Sequence, residues 1–186
     1  MNHMRFAGMF AVVASMMLPP PTQAVSLDRS PTYPGANLCT LSIPTNNTKV
    51  RPKSTGFRNE GTTSSFVICS FDSAPGQASF GASAQSWDPT YYGVIFGSID
   101  GLVHSFSCTA VNSWPSGNRY APMYYATKTV TVDPEITAYD ETDWFPVEFG
   151  GSTNIPTSGA FSVTCSLPPG VSILLGTLGA EEDIGF

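Results

Sequence analysis

The sequence predicts an all-β domain: a disulfide-stapled antiparallel β-sandwich, jelly-roll or Ig-like, of about eight short strands. Three observations lead there. Residues 160–167 alternate, with Phe161, Val163, Cys165 and Leu167 apolar and Ser162, Thr164 and Ser166 polar between them, which is the period of a half-buried strand. Cysteines recur in similar settings at Cys39, Cys69, Cys108 and Cys165. Turn residues return about every ten positions, and no segment keeps a helical period over three turns.

The first 24 residues read as a leader. Arg5 is followed by an uncharged apolar run over residues 6–18, then Pro19-Pro20-Pro21 and the small-residue end Thr22-Gln23-Ala24. That order is a cleaved secretory signal peptide. A run of about 13 apolar residues is too short to span a bilayer, which takes about 20. Residues 25–37, rich in Ser, Pro and Asp, read as an extended lead-in, and residues 38–186 as one sandwich domain. The expected location is outside the cytoplasm, secreted or periplasmic, with no transmembrane segment.

Strands are expected at 38–43, 65–71, 78–85, 91–96, 102–111, 124–132, 136–139, 144–149, 160–167 and 171–175. Residues 44–61 form a long polar loop or a weak edge of the sheet, carrying Lys49, Arg51, Lys53 and Arg58 and the sequon Asn46-Asn47-Thr48. An acidic tail follows the last strand. In two of these strands the cysteines share a phase with their apolar neighbours: Val67, Cys69 and Phe71 in one, Phe106, Cys108 and Ala110 in another. An even cysteine count behind a leader implies two disulfides in an oxidising compartment. Four cysteines allow three connectivities; chain order alone favours Cys39–Cys69 and Cys108–Cys165.

The chain carries 14 Asp and Glu against 8 Lys and Arg, a net charge of −6. No Lys or Arg follows Lys128. An acidic protein of this kind is not a nucleic-acid binder.

Several short motifs resemble a group of small secreted four-cysteine all-β bacterial proteins of uncharacterised function. They are Phe57-Arg58-Asn59-x-Gly61 leading to Phe66-Val67-Ile68-Cys69, then Phe106-Ser107-Cys108-Thr109, then Phe161-Ser162-Val163-Thr164-Cys165-Ser166-Leu167-Pro168-Pro169-Gly170 with Glu181-Glu182 nearby. Ser70 stands where the group often has Pro. The resemblance implies the fold and no catalytic residue.

Catalytic chemistry is sparse. Once the leader is removed His104 is the only histidine, so a Ser-His-Asp triad would have to use it. Its phase with Phe106 and Cys108 marks it as structural, and no nucleophile elbow is present. No cofactor is expected. Asp133, Glu135, Asp140 and Asp143 are candidate calcium ligands, hard oxygens at high density, set against a plain solvated acidic loop. Trp87, Trp114, Trp144 and Tyr124 are candidate ligand-stacking rings, taken from a wider set of aromatics in or beside loops that includes Tyr91 and Phe145. The expected function is a secreted, non-enzymatic binding module for a carbohydrate or protein surface. The alternatives are a structural envelope or surface component and, behind it, a hydrolase using the acidic loop 133–143.

Overall fold

The computed structural model describes residues 26–43, 49–71, 87–113, 123–150 and 160–183, and these form a two-layer antiparallel β-sandwich. In chain order the strands are β1 (Ser26–Arg29), β2 (Thr32–Pro34), β3 (Cys39–Leu41), β4 (Val50–Lys53), β5 (Gly56–Asn59), β6 (Ser65–Phe71), β7 (Trp87–Ser98), β8 (His104–Ser113), β9 (Met123–Val132), β10 (Asp140–Trp144), β11 (Ala160–Leu167) and β12 (Val171–Asp183). A single helical turn, α1 (Gly35–Leu38), joins β2 to β3, and a 3₁₀ turn follows β10 at Pro146–Phe149. The leader of residues 1–24, the strand expected at 78–85, the sequon and Trp114 lie outside the described residues.

The smaller sheet runs β3-β6-β11-β8-β9. Its alternation is the one legible in the sequence. Val67, Cys69, Cys108, Ala110, Val163, Cys165 and Leu167 are buried completely. The disulfides join Cys39 to Cys69 and Cys108 to Cys165. Each links residues directly opposite on neighbouring strands, β3 with β6 and β8 with β11. Both staples therefore lie within one sheet, under its inner face.

The larger sheet runs β10-β7-β12-β5-β4, with β1 and β2 also paired to β12. Its centre is β12, which holds β7 along one side and receives β1, β2 and β5 in succession on the other. Several expectations change here. The lead-in 25–37 supplies two strands of this sheet. Of the two readings of 44–61, the edge is the one found: a β4–β5 hairpin anchored by buried Val50 and Phe57. Pro52 is tolerated because β4 is an edge strand, where a missing N–H costs no ladder bond. The last strand runs on to Asp183 and takes in Glu181 and Glu182 of the expected tail. Residues 136–139 are a turn, and the strand begins at Asp140 inside the acidic cluster. The strand expected at 144–149 is a 3₁₀ turn, because Pro146 has no N–H to give and its fixed φ suits a helical start.

The core is aromatic. Tyr92 and Phe161 stack across the layers at 3.7 Å and 7°, and Phe71 and Phe149 meet Phe161 edge-on. Burial pushes the Tyr92 phenol well above its ordinary pKa, with Tyr33 adding to the shift. The motif around Asn59 ties the two layers together. Its buried amide donates to Leu167 O of the smaller sheet and to Thr63 O, each at 2.9 Å, while its Oδ1 accepts from Gly61 N. The segment Phe57-Arg58-Asn59-x-Gly61 is thus an interlayer clamp. Nearby, Arg51, Lys53 and Arg58 gather around Glu60.

Candidate functional site on the larger sheet

Of the expected stacking rings, the structure describes the side chains of Trp144 and Tyr124. Trp144 is completely buried, which overturns its reading as a stacking surface. As the last residue of β10 its phase is inward, and its indole N–H donates to Ala126 O on β9 at 3.1 Å. Trp87 belongs to β7 by its backbone, paired with Glu182, and its side chain lies outside the description. Tyr124 is 36% exposed on β9, near Gly150.

The candidate calcium ligands also part company. Asp140 Oδ2 accepts from Asp133 N, Asp133 Oδ1 accepts from Glu135 N, and Asp140 Oδ1 accepts from the Thr137 hydroxyl, so these groups stitch the 133–140 turn. Glu135 is exposed. Asp143 is three positions along a strand from Asp140 and so faces the other side of the sheet. Among the described residues no group of three or more His, Cys, Asp or Glu side chains is placed to hold a metal.

What does assemble is on the outer face of the larger sheet, where β10, β7 and β12 lie side by side. Register sets Asp143 beside Gly93 and Gly93 beside Thr177; one step along, Glu141 lies beside Ile95 and Ile95 beside Leu175. Gly93 has no side chain, so its neighbours close over it. A β-carbon there would collide with the Thr177 hydroxyl and Asp143 Oδ1, with Glu141 Oε1 at 3.0 Å. Thr177 Oγ1 donates to Glu141 Oε1 at 3.0 Å. Asp143 Oδ1 is buried without a hydrogen-bond partner. Burial and then repulsion from Glu141 hold the Asp143 carboxyl above the ordinary carboxylate range, with Lys128 pulling the other way.

One row further, the Tyr91 ring lies across Gly179, whose missing β-carbon gives it the room. Phe145, 47% exposed, faces Tyr91 with ring centroids 6.3 Å apart. Phe145 is fixed from behind: its N–H donates to Glu148 Oε2, and Glu148 Oε1 pairs with Lys128 Nζ at 2.9 Å. The same ammonium donates to Asp143 O and sits 5.8 Å from the Phe145 ring centroid. The result is a pair of rings beside two carboxylates and a hydroxyl. Both carboxylates lie over one glycine, Gly93.

Among the expected residues, Tyr91, Phe145, Glu141 and Asp143 come together. Gly93, Thr177 and Gly179 were missed. Glycines inside a strand are a signal of close approach by a neighbour, and Gly176-x-x-Gly179 carried it, but the strand itself was read as ending at 175. His104 Nε2 lies 2.8 Å from Asp100 Oδ1 within the β7–β8 hairpin.

No protein-family model matches the sequence, and no curated protein matches it. The solved structures to which this chain is similar include these two. One is TmCBM61 in complex with β-1,4-galactotriose, at TM-score 0.31 and 10% identity, over 83% of this chain and 84% of that chain. The other is the family 11 carbohydrate-binding module from Clostridium thermocellum in complex with a β-1,3-1,4-mixed-linked tetrasaccharide, at TM-score 0.35 and 9% identity, over 91% of this chain and 92% of that chain.

Proposed function

We propose that this protein is a non-enzymatic binding module for neutral carbohydrate, acting outside the cytoplasm, and that the outer face of β10, β7 and β12 is its binding surface. The observation that carries this reading is the Tyr91–Phe145 ring pair set beside Glu141, Asp143 and Thr177. Sugar rings present apolar faces to aromatic side chains and hydroxyls to carboxylates, so the two halves of the site match the two halves of a pyranose. The paired disulfides agree with an oxidising compartment. A glycan array should return neutral oligosaccharides. Phe145→Ala should then weaken the best of them by at least about fivefold, a loss of about 1 kcal/mol, with the melting temperature nearly unchanged because the ring is half exposed. An empty array, or full affinity in Phe145→Ala, would remove the reading.

A further inference from the structure

The ring site hangs on an open edge between the two layers. β9 ends the smaller sheet and β10 ends the larger one, and among the described residues no strand pairs with the free side of either. No ladder therefore ties the segment that carries Phe145 to the smaller sheet. Side chains do so instead. The Trp144 indole donates to Ala126 O, and two residues along β9 the Lys128 ammonium donates to Asp143 O at 2.6 Å.

Lys128 stands out by composition. It is the one Lys, Arg, Asp or Glu in the strands of the smaller sheet, and no Lys or Arg follows it in the chain. It shares its strand phase with buried Val130 and Val132, so its stem runs inward and its ammonium ends between the layers. There Glu148 Oε1 lies 2.9 Å from Nζ, and the Phe145 ring centroid 5.8 Å from it. The other oxygen of that carboxylate, Glu148 Oε2, accepts from Phe145 N–H at 2.8 Å, and Glu148 N–H donates back to Phe145 O at 3.1 Å. Glu148 is thus gripped at both oxygens, by a strand of one sheet and by the backbone that carries the ring. The two side chains keep 30% and 25% of their surface in water. A pair that wet returns little stability, and holding two long side chains costs rotamer freedom. What the arrangement does fix is a geometry.

We propose that Lys128 is the positioning residue of the ring site: from the smaller sheet it holds Glu148, and through Glu148 it sets the angle at which Phe145 faces Tyr91 and a bound sugar. The inference rests on the reading of that face as a carbohydrate surface. A ring oriented before the ligand arrives binds more tightly, because its ordering no longer opposes association. The same ammonium opposes the effects of burial and of Glu141 on the Asp143 carboxyl. One side chain therefore acts on both halves of the site.

The test compares the full chain as wild type, Lys128→Met, Glu148→Gln and the double variant. Met keeps most of the stem and drops the charge. Gln keeps an acceptor for Phe145 N–H and drops the ion pair. In the ligand-free protein the Tyr91–Phe145 contact is read by nuclear Overhauser effects, with the buried Tyr92–Phe161 stack as internal control. The ring contact should weaken at least about threefold in each variant while the control holds. With cellohexaose as a neutral probe, each single variant should bind at least about threefold more weakly, and the double no more weakly than either single, because both changes cut one link. A ring contact of wild-type strength in either single variant overturns the proposal, as do affinity losses that multiply in the double variant. Loss of the control contact along with the ring contact makes Lys128 a general support of the fold and overturns it too. If Lys128→Met does not fold, Glu148→Gln cuts the same link and decides alone. An empty glycan array removes the carbohydrate reading by itself, while the ring contact in the ligand-free variants still decides whether Lys128 sets Phe145.

Discussion

The two sheets of this sandwich reach order by different means. The smaller one is stapled twice, its inner face reads mostly apolar at every second residue, and its outer face carries Ser and Thr with Phe66, Ile68, Val111 and Tyr125 among them. The larger one has no disulfide among the described residues. It carries the charges of β1, β4, β5, β10 and the end of β12, and it places glycines where Tyr91 and the Asp143–Glu141–Thr177 group lie down upon it. Covalent closure between neighbouring strands holds the first together. The second is held by a long central strand, an aromatic core and side chains packed over bare backbone. Chemistry able to discriminate a ligand gathers on the second, because glycine gaps, rings and unequal carboxylates make a surface irregular, and irregular surfaces can select.

The sharpest way to break this comparison is to remove a staple. Replacing both Cys108 and Cys165 by Ala opens a bridge between residues 57 positions apart, and should cost about 4 kcal/mol in the chain-entropy description. The melting temperature should fall by roughly 10 °C for a domain of this size. Native-state hydrogen exchange should show the loss concentrated in β8 and β11, with β7 and β12 protected longer. Equal loss of protection in both sheets would mean that the two are one cooperative unit and that the contrast is geometric only.

A smaller effect is expected where the two sheets meet along their open edge. Trp144 spans from β10 to Ala126 O of β9, with Lys128 beside its ring. Trp144→Phe keeps an aromatic ring but deletes the N–H donor, leaving a carbonyl short of its partner, and should destabilise by about 1–3 kcal/mol. Glycan binding by the folded variant should be unchanged. A variant with unaltered melting and lost binding would return Trp144 to the ligand surface.

The same contrast decides what could be read from the sequence. The smaller sheet was legible because each strand buries one face and wets the other. Phe161, Val163, Cys165 and Leu167 announce β11 without help from any other strand, and the cysteine phase places the bridges inside. The larger sheet was not, because its residues answer to neighbours far along the chain. Asp140, Glu141 and Asp143 look like a solvated loop until β7 lies beside them. Gly176 and Gly179 look like the end of a strand until Tyr91 is seen across the second of them. Phe145 and Asp143 were both noticed as residue types; their meeting with Tyr91 and Thr177 depends on a register that no local pattern encodes. Trp144 misled for the opposite reason: an acid before it suggests exposure, while strand phase turns it inward.

The smallest effect is electrostatic and belongs to the larger sheet alone. Asp143 has a carboxyl oxygen buried against Gly93 without a partner, and burial and Glu141 raise its pKa in the folded protein. A carboxyl raised on folding binds more protons native than unfolded, in the window from the ordinary carboxylate value up to its native one. Stability therefore falls as pH rises through that window, and the penalty is complete above it. Below the ordinary value both states are protonated and the contribution vanishes. Asp100 acts in the opposite sense: burial raises it, but hydrogen bonds from His104, Leu102 N–H and Ser98 outweigh that and hold it low. The raw pH profile thus mixes two signs, and a difference between variants is needed to separate them. Asp143→Asn removes the charge and keeps the shape. It should raise the melting temperature at pH 7 by an amount worth less than about 1 kcal/mol, since the side chain remains partly in water. The gain over wild type should shrink toward zero as the pH is lowered past the ordinary carboxylate range. Thermal melts of the two proteins from pH 3 to pH 7 give the difference curve directly. A flat curve, or an Asn variant less stable at neutral pH, would mean that the Asp143 carboxylate is satisfied in solution and that the larger sheet's outer face stores no such penalty.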